Sequence, residues 1–475
     1  MLSDHGSSRA VPVQPERGMS PPPHRKVRRW LWSVIAGLSV ICGLLVAVHG
    51  LNGPRMTAFS VDETAVVSES NSRLVLSTNR ELEEVLPEQV TVAPQSPVSV
   101  QTSADSIVVS FVEPLASNTD YTVSVRGVTG LSGDRSSRFD VRFHTGESAL
   151  YYLSRDPVLP DRILRTTIGS PETETAFSAP RISEFITLED QFIVVVLDED
   201  GNSTLQRVDK DGRVVPLTVP GRGAITDLEA VTTENLVGFR FDSAADVPGP
   251  RYQDALFLLD LGIGVADPVR GGDDEPLPVT RWAFLGRSPD LVVELADRTL
   301  LTLNARTNVD RTAVPVPLGR SAQLTAVSPD GSRVALATQG GHFLLDLSSG
   351  VQDAIAPPDA VGIADTDVLR FLAGGEGFVQ LRADPDSGRV PQRIVLQEGA
   401  DSRVVYEPAS ASEAIIGFSL SPNDEYLAVQ IVPNRDEQTP DDYPHSGQAR
   451  EAMTLFVNMA TGQIRRSVIG FDVAW

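Results

Sequence analysis

S-AQLTAV-SPDG-SRVALAT-QGG-HFLLDL-SSG, running from Ser321 to Gly350, holds three short apolar or alternating runs joined by tight turns. In Ser328-Pro329-Asp330-Gly331, the proline presets φ for the first corner of a type I turn, and Gly331 can take the positive φ of the bulge that follows. Gln339-Gly340-Gly341 is a second hairpin signal and Ser348-Ser349-Gly350 a third turn. A fourth run from Val351 completes a four-stranded antiparallel meander, the unit of a β-propeller blade. A unit this small cannot bury its own faces, so the stretch predicts neighbours of the same kind.

Those neighbours are legible on both sides. Innermost strands are expected at Ile182–Leu188, Ile225–Val231, Val279–Leu285, Ala322–Val327, Asp367–Leu372, Ala414–Leu420 and Ile469–Trp475, at the spacing of roughly 40 to 55 residues that propeller repeats require. Third strands align independently. Leu258-Leu259-Asp260-Leu261 with Gly264 matches Leu344-Leu345-Asp346-Leu347 with Gly350, and Leu455 to Gly462 is a further copy. Ser421-Pro422-Asn423-Asp424 repeats the Ser-Pro-Asp-Gly turn. Ile469–Trp475 reads as a first strand with no blade after it, whereas Ala149–Leu153, Arg162–Ile168 and Glu174–Phe177 read as three strands lacking a first. Joining them closes a ring of about seven blades and leaves no open sheet edge; six and eight remain alternatives. The region 147–475 resembles the WD-repeat-like propellers of bacterial exported proteins such as the periplasmic Tol translocation protein. That resemblance implies the fold and is silent on function.

Residues 55–146 carry strand patterns only: Arg73–Ser77, Gln89–Val92, Ser106–Phe111, Tyr121–Val125 and Phe139–Phe143, separated by turn residues at the spacing of a small sandwich. Pro114-Leu115, Asn118–Val125, Gly127-Val128, Leu131-Ser132-Gly133 and the ending Phe143-His144-Thr145-Gly146 make this segment similar to the bacterial Ig-like domain of S-layer and surface proteins. Gly130 stands where that family has Asp, and Asp134 where it has Asn. The resemblance implies a spacer and transfers no catalytic residue.

Residues 1–29 are rich in Pro, Ser and Gly and are expected to be a disordered cytoplasmic tail. Arg25, Lys26, Arg28 and Arg29 then precede an apolar run, Leu31 to Val48, free of charge and about long enough to cross a bilayer. The expectation is a transmembrane signal anchor over 30–50, with Trp30 and Trp32 at the headgroup level, the N-terminus cytoplasmic and the bulk of this single-pass chain outside the cell membrane. A cleaved signal peptide is the competing reading. The whole is therefore an all-β ectodomain, an Ig-like β-sandwich plus a β-propeller, behind one N-terminal helix.

The net charge of −23 argues against nucleic acid, whose phosphates need clustered Lys and Arg. The single cysteine, Cys42, excludes an intrachain disulfide and a Cys-based metal or redox site. No metalloprotease, phosphate-loop or nucleophile-elbow motif is present. Asp198-Glu199-Asp200-Gly201-Asn202 and Asp209-Lys210-Asp211-Gly212 lack the full ligand set of a calcium loop and read as hairpins. No catalytic, cofactor or metal residue is assigned, and no cofactor is expected.

Loops say more than motifs. In a propeller, connections between second and third strands and those between blades open on one face, and the long ones here, Asp242–Asp254, Asn434–Arg450, 155–161 and 271–275, fall in those classes. Function tends to sit on such loops. Arg251, Tyr252, Asp441, Asp442, Tyr443 and His445 combine charge with aromatic surface. Arg222 and Arg320 occupy matching inter-blade turns at the expected channel mouth. These residues are the candidate ligand face of a non-enzymatic scaffold whose partner is a protein or a cell-envelope polymer. The alternative is a propeller hydrolase or lactonase acting on a small extracytoplasmic substrate. It needs acids around the channel, for which Asp227, Glu229, Asp367 and Asp472 are the candidates.

Overall fold

Gln191–Leu197, QFIVVVL, is apolar without alternation because neither face of this strand meets water. Phe192, Val194 and Val196 pack towards Leu153 and Ile163 on one side. Ile193 and Val195 pack towards Ile225, Val237 and Phe239 on the other. A strand buried on both faces needs a sheet on each side, and that arrangement recurs around the molecule.

The computed structural model describes residues 30–41, 53–131, 135–188, 191–248, 251–320, 322–338, 341–355, 364–383 and 392–475. The expected cytoplasmic tail, Cys42, the Gly133 and Asp134 positions of the Ig-like pattern and the Gln339-Gly340 turn lie outside the described residues, as does the side chain of Asp367.

Among the described residues of the region 147–475, seven four-stranded antiparallel sheets follow one another. Blade 1 orders Phe471–Ala474, Leu150–Ser154, Asp161–Thr166 and Glu174–Ala179 from inside to outside. Blades 2 to 7 each run in sequence order and begin with Ile182–Leu188, Gly223–Val231, Val279–Phe284, Gln323–Val327, Ala364–Phe371 and Ala414–Leu420. Every pair of neighbouring blades encloses its own apolar cluster, and the cluster of Leu150, Tyr152, Phe456 and Val468 joins blade 7 to blade 1. The ring is closed. This is a β-propeller.

Closure differs from the sequence expectation in one detail. Ile469 ends the fourth strand of blade 7, Ile464–Ile469, and the chain crosses into blade 1 at Gly470. Gly470 has φ 147°, and a Cβ there would stand 2.5 Å from the Leu153 carbonyl oxygen, so only glycine fits this handover.

Polar side chains at the starts of third strands tie blade to blade. The Ile182 amide donates to Asp161 Oδ2 at 2.7 Å, the Ile225 amide to Ser203 Oγ at 2.9 Å, and the Ile415 amide to Gln392 Oε1 at 2.7 Å. Across the seam, Thr454 Oγ1 donates to the Gly470 carbonyl at 2.8 Å. All seven innermost strands also carry a register shift near the same place, beginning after Ile182, Thr226, Val279, Leu324, Asp365, Ile415 and Phe471. Such bulges bend a strand and re-aim its side chains. Asp227 and Asp472 occupy two of them with φ 54° and 51°.

Ahead of the ring, a four-stranded sheet (Met56–Val61, Ser72–Thr78, Ser106–Phe111, Val98–Ser103) and a three-stranded one (Val90–Ala93, Asp120–Val128, Ser137–His144) share one core. Leu74, Leu76, Ile107 and Val109 meet Val123, Val125, Val141 and Phe143 there. Thr145 is fully buried and donates to the Ala116 carbonyl at 2.7 Å, pinning the turn that faces the propeller. That turn docks on blade 7: Asn423 Nδ2 donates to the Leu115 carbonyl at 3.1 Å, and the Ser117 amide donates to Glu425 Oε2 at 3.0 Å. The docking surface is the end of the ring where first strands turn into second strands, opposite the long loops.

Among the described residues no helix is long and apolar enough to cross a membrane. Residues 30–41 are helical and exposed, which at 1.5 Å per residue gives about 18 Å of helix; the rest of the apolar run lies outside the described residues.

Candidate functional site: the axial channel and its loop face

Innermost strands leave an axial cavity of about 1130 Å³. Acidic side chains crowd one arc of its wall, with Asp472 on blade 1, Glu184 on blade 2, and Asp227 and Glu229 on blade 3. Arg281 of blade 4 and Arg370 of blade 6 line the remainder. Three of the acids carry unusual protonation. Burial pushes the Glu184 and Glu229 carboxyls up to about 7, and the Asp472 carboxyl up to about 6.

Each acid already has a partner. The Leu228 amide donates to Glu184 Oε2 at 3.0 Å and the Phe284 amide to Glu229 Oε2 at 3.4 Å, so both carboxylates reach across to the next blade. Asp472 accepts from the Gln430 side chain and feels the Arg155 charge. Asp227 pairs with Arg240, which also holds Asp254 at 2.9 Å. Glu184 was not among the acids expected from sequence; its place at the third residue of an innermost strand, where the bulge falls, was the available signal.

Above the channel the candidate ligand-face residues separate into two groups. Asp441 and Tyr443 turn inward and belong to a clasp. The Arg155–Asp441 ion pair is almost fully buried, with side chains 5% and 7% exposed. The Arg155 guanidinium lies 3.6 Å from the centroid of the Tyr443 ring and 4.8 Å from that of Phe471. It also donates to the carbonyls of Ser183 and Ser446, each at 2.9 Å. The Tyr443 hydroxyl donates to the Asp161 carboxylate, whose pKa burial raises. The loop of blade 7 thus crosses blade 1 to blade 2, and Ser446 and Gln448 line the channel mouth beneath it.

The second group stays at the surface. Arg222 pairs with Asp246 at 3.1 Å and with Asp200 at 3.5 Å, bringing an inter-blade connection against two second-to-third-strand loops. Arg251 donates to the Ala245 carbonyl within its own loop, while Tyr252 sets its ring edgewise on Phe257 at 5.0 Å and anchors that loop to the core. Asp442 pairs with Arg450, and its carbonyl accepts from Arg181 at 2.9 Å. Arg320 and His445 are exposed. Neither Arg222 nor Arg320 is in the channel lining.

Known proteins resemble the chain only distantly. No family model matches the chain, and no curated protein matches it. Solved structures that resemble it include the oligogalacturonate lyase in complex with manganese, at 12% identity over 86% of this chain and 98% of that one, with a TM-score of 0.44. The β-propeller domain of the Trilobed protease from Pyrococcus furiosus matches at 9% identity over 75% and 93%, TM-score 0.44. The Swd1 β-propeller domain of Myceliophteria thermophila matches at 13% identity over 62% and 87%, TM-score 0.40.

Proposed function

We propose that the chain is a non-enzymatic extracytoplasmic binding protein. In this reading the apolar segment after Arg29 is a single-pass anchor with the N-terminus cytoplasmic. The two-sheet domain resembles a bacterial Ig-like spacer, and the loop face of the propeller engages a protein or cell-envelope polymer. The observation that carries it is the state of the channel acids: Glu184 and Glu229 accept backbone amides of the adjacent blade, and Asp227 is held by Arg240. Glu184 and Glu229 thus tie neighbouring blades and Asp227 is neutralised within its own, whereas general acid–base chemistry needs a carboxyl committed to its substrate. The loop face instead carries Arg222, Arg320, Asp442 and His445 on a rigid ring.

The test is crosslinking on intact cells with the full chain and with an Arg222→Gln/Arg320→Gln variant. Both arginines are exposed, so folding should be undisturbed. The reading expects an envelope component captured by the parent and at least tenfold less by the variant, at equal melting temperature. Equal capture by both, or turnover of a lactone or ester panel abolished by Glu184→Gln, would replace it with the hydrolase reading.

A further inference from the structure

A second cavity, of about 400 Å³, lies at the other end of the ring, between the two-sheet domain and blades 1 and 7. That volume falls within the range of about 300–1,000 Å³ typical of small-molecule sites. Two walls are set at a fixed separation by Asn423, whose Nδ2 donates to the Leu115 carbonyl and to Ser117 Oγ, each at 3.1 Å. At the floor, the Glu147 carboxylate lies where a Cβ on residue 169 would be, 2.2 Å from its Oε1, so Gly169 is what admits the carboxylate. The Trp475 ring stands edge-on to Phe456 at 5.9 Å and lines this cleft as well as the axial channel.

The lining mixes kinds of group that rarely serve one simple ligand. Glu147 and Glu425 offer acceptors, Arg465 offers donors, Tyr426 offers a hydroxyl oxygen whose proton is turned to Glu425, and Trp475 and Ile168 offer apolar surface. A purely anionic ligand would meet the two glutamates, a cationic one would meet Arg465, and an apolar one would strand the whole polar set. A polyhydroxylated ring meets none of these objections. Its hydroxyls donate to the carboxylates and accept from Arg465, while its C–H face lies on the tryptophan.

We propose that this cleft binds a saccharide, one or two sugar units long. The site sits opposite the loop face and goes beyond the reading given for that face. Isothermal titration of the full chain in mild detergent with cellobiose and N,N′-diacetylchitobiose, alongside co-sedimentation with insoluble peptidoglycan, tests it. Saturable binding of a disaccharide is expected, weakened at least tenfold by Tyr426→Phe and by Arg465→Gln at unchanged melting temperature. Co-sedimentation that the same disaccharide competes away identifies a polymer as the source; disaccharide binding without co-sedimentation identifies a free sugar. No binding in any arm, or binding that both substitutions leave intact, overturns the proposal. Capture by the loop face should be indifferent to Tyr426→Phe, so the two readings fail separately.

Discussion

Glu229 shows how a single carboxyl can make the whole ring sensitive to pH. Burial raises it from 4.5 to about 7, so between those values the folded chain keeps a proton that the unfolded chain has released. The contribution of this group is therefore fully present below about pH 4.5 and is lost as pH rises through about 7, with Glu184 adding in the same direction. A shift of that size corresponds to about 3–4 kcal/mol per group at most, at about 1.4 kcal/mol per unit. Glu229→Gln keeps an acceptor for the Phe284 amide and removes the charge. It should raise the melting temperature at pH 8 by a few degrees and leave it unchanged at pH 4.5. Calorimetry across that range checks this, and an unaltered pH slope would count against the buried carboxyl as its origin.

At the scale of elements, the Asn434–Arg450 loop is a strap across the seam. Asp441→Asn leaves Arg155 charged and buried, and breaking a buried pair from one side costs about 3–5 kcal/mol. Hydrogen exchange should quicken at Phe471–Ala474 and Leu150–Ser154 and stay unchanged in the two-sheet domain; uniform exchange in both would deny the strap its role. Shortening the loop would have the same effect, so a lost partner in such a variant would report a loosened ring as readily as a missing contact. Turn chemistry and strand pattern are local, which is why Ile182–Leu188 and Ala414–Leu420 could be bounded from sequence as they stand in the structure. The strap could not, because its two ends are 286 residues apart. Composition made Asp441 and Tyr443 look like contact residues; only the fold reveals that their partner is Arg155. Polar ties such as Asp161 to Ile182 were equally hidden, since a polar residue opening a third strand reads as surface until the next blade is in place.

At the scale of the molecule, the described residues of the ring share no central core to nucleate and then decorate. Seven separate clusters each bridge two blades, so the loss of one sheet exposes two of them. Deleting residues 467–475 removes the inner strand of blade 1 and part of the outer strand of blade 7. Soluble expression of the chain should be abolished; a truncated protein with the parent's melting temperature would contradict the closure.

The seam also orders events in time. Leu150–Ser154 leaves the ribosome more than 300 residues before Phe471–Ala474, the strand that completes its sheet. Blades 2 to 7 can each pair their own strands as they emerge, but blade 1 waits with an unpaired edge until synthesis has passed Ala474. A chain built this way cannot finish folding before its last strand has been made, and its first blade is the one most in need of a holding chaperone.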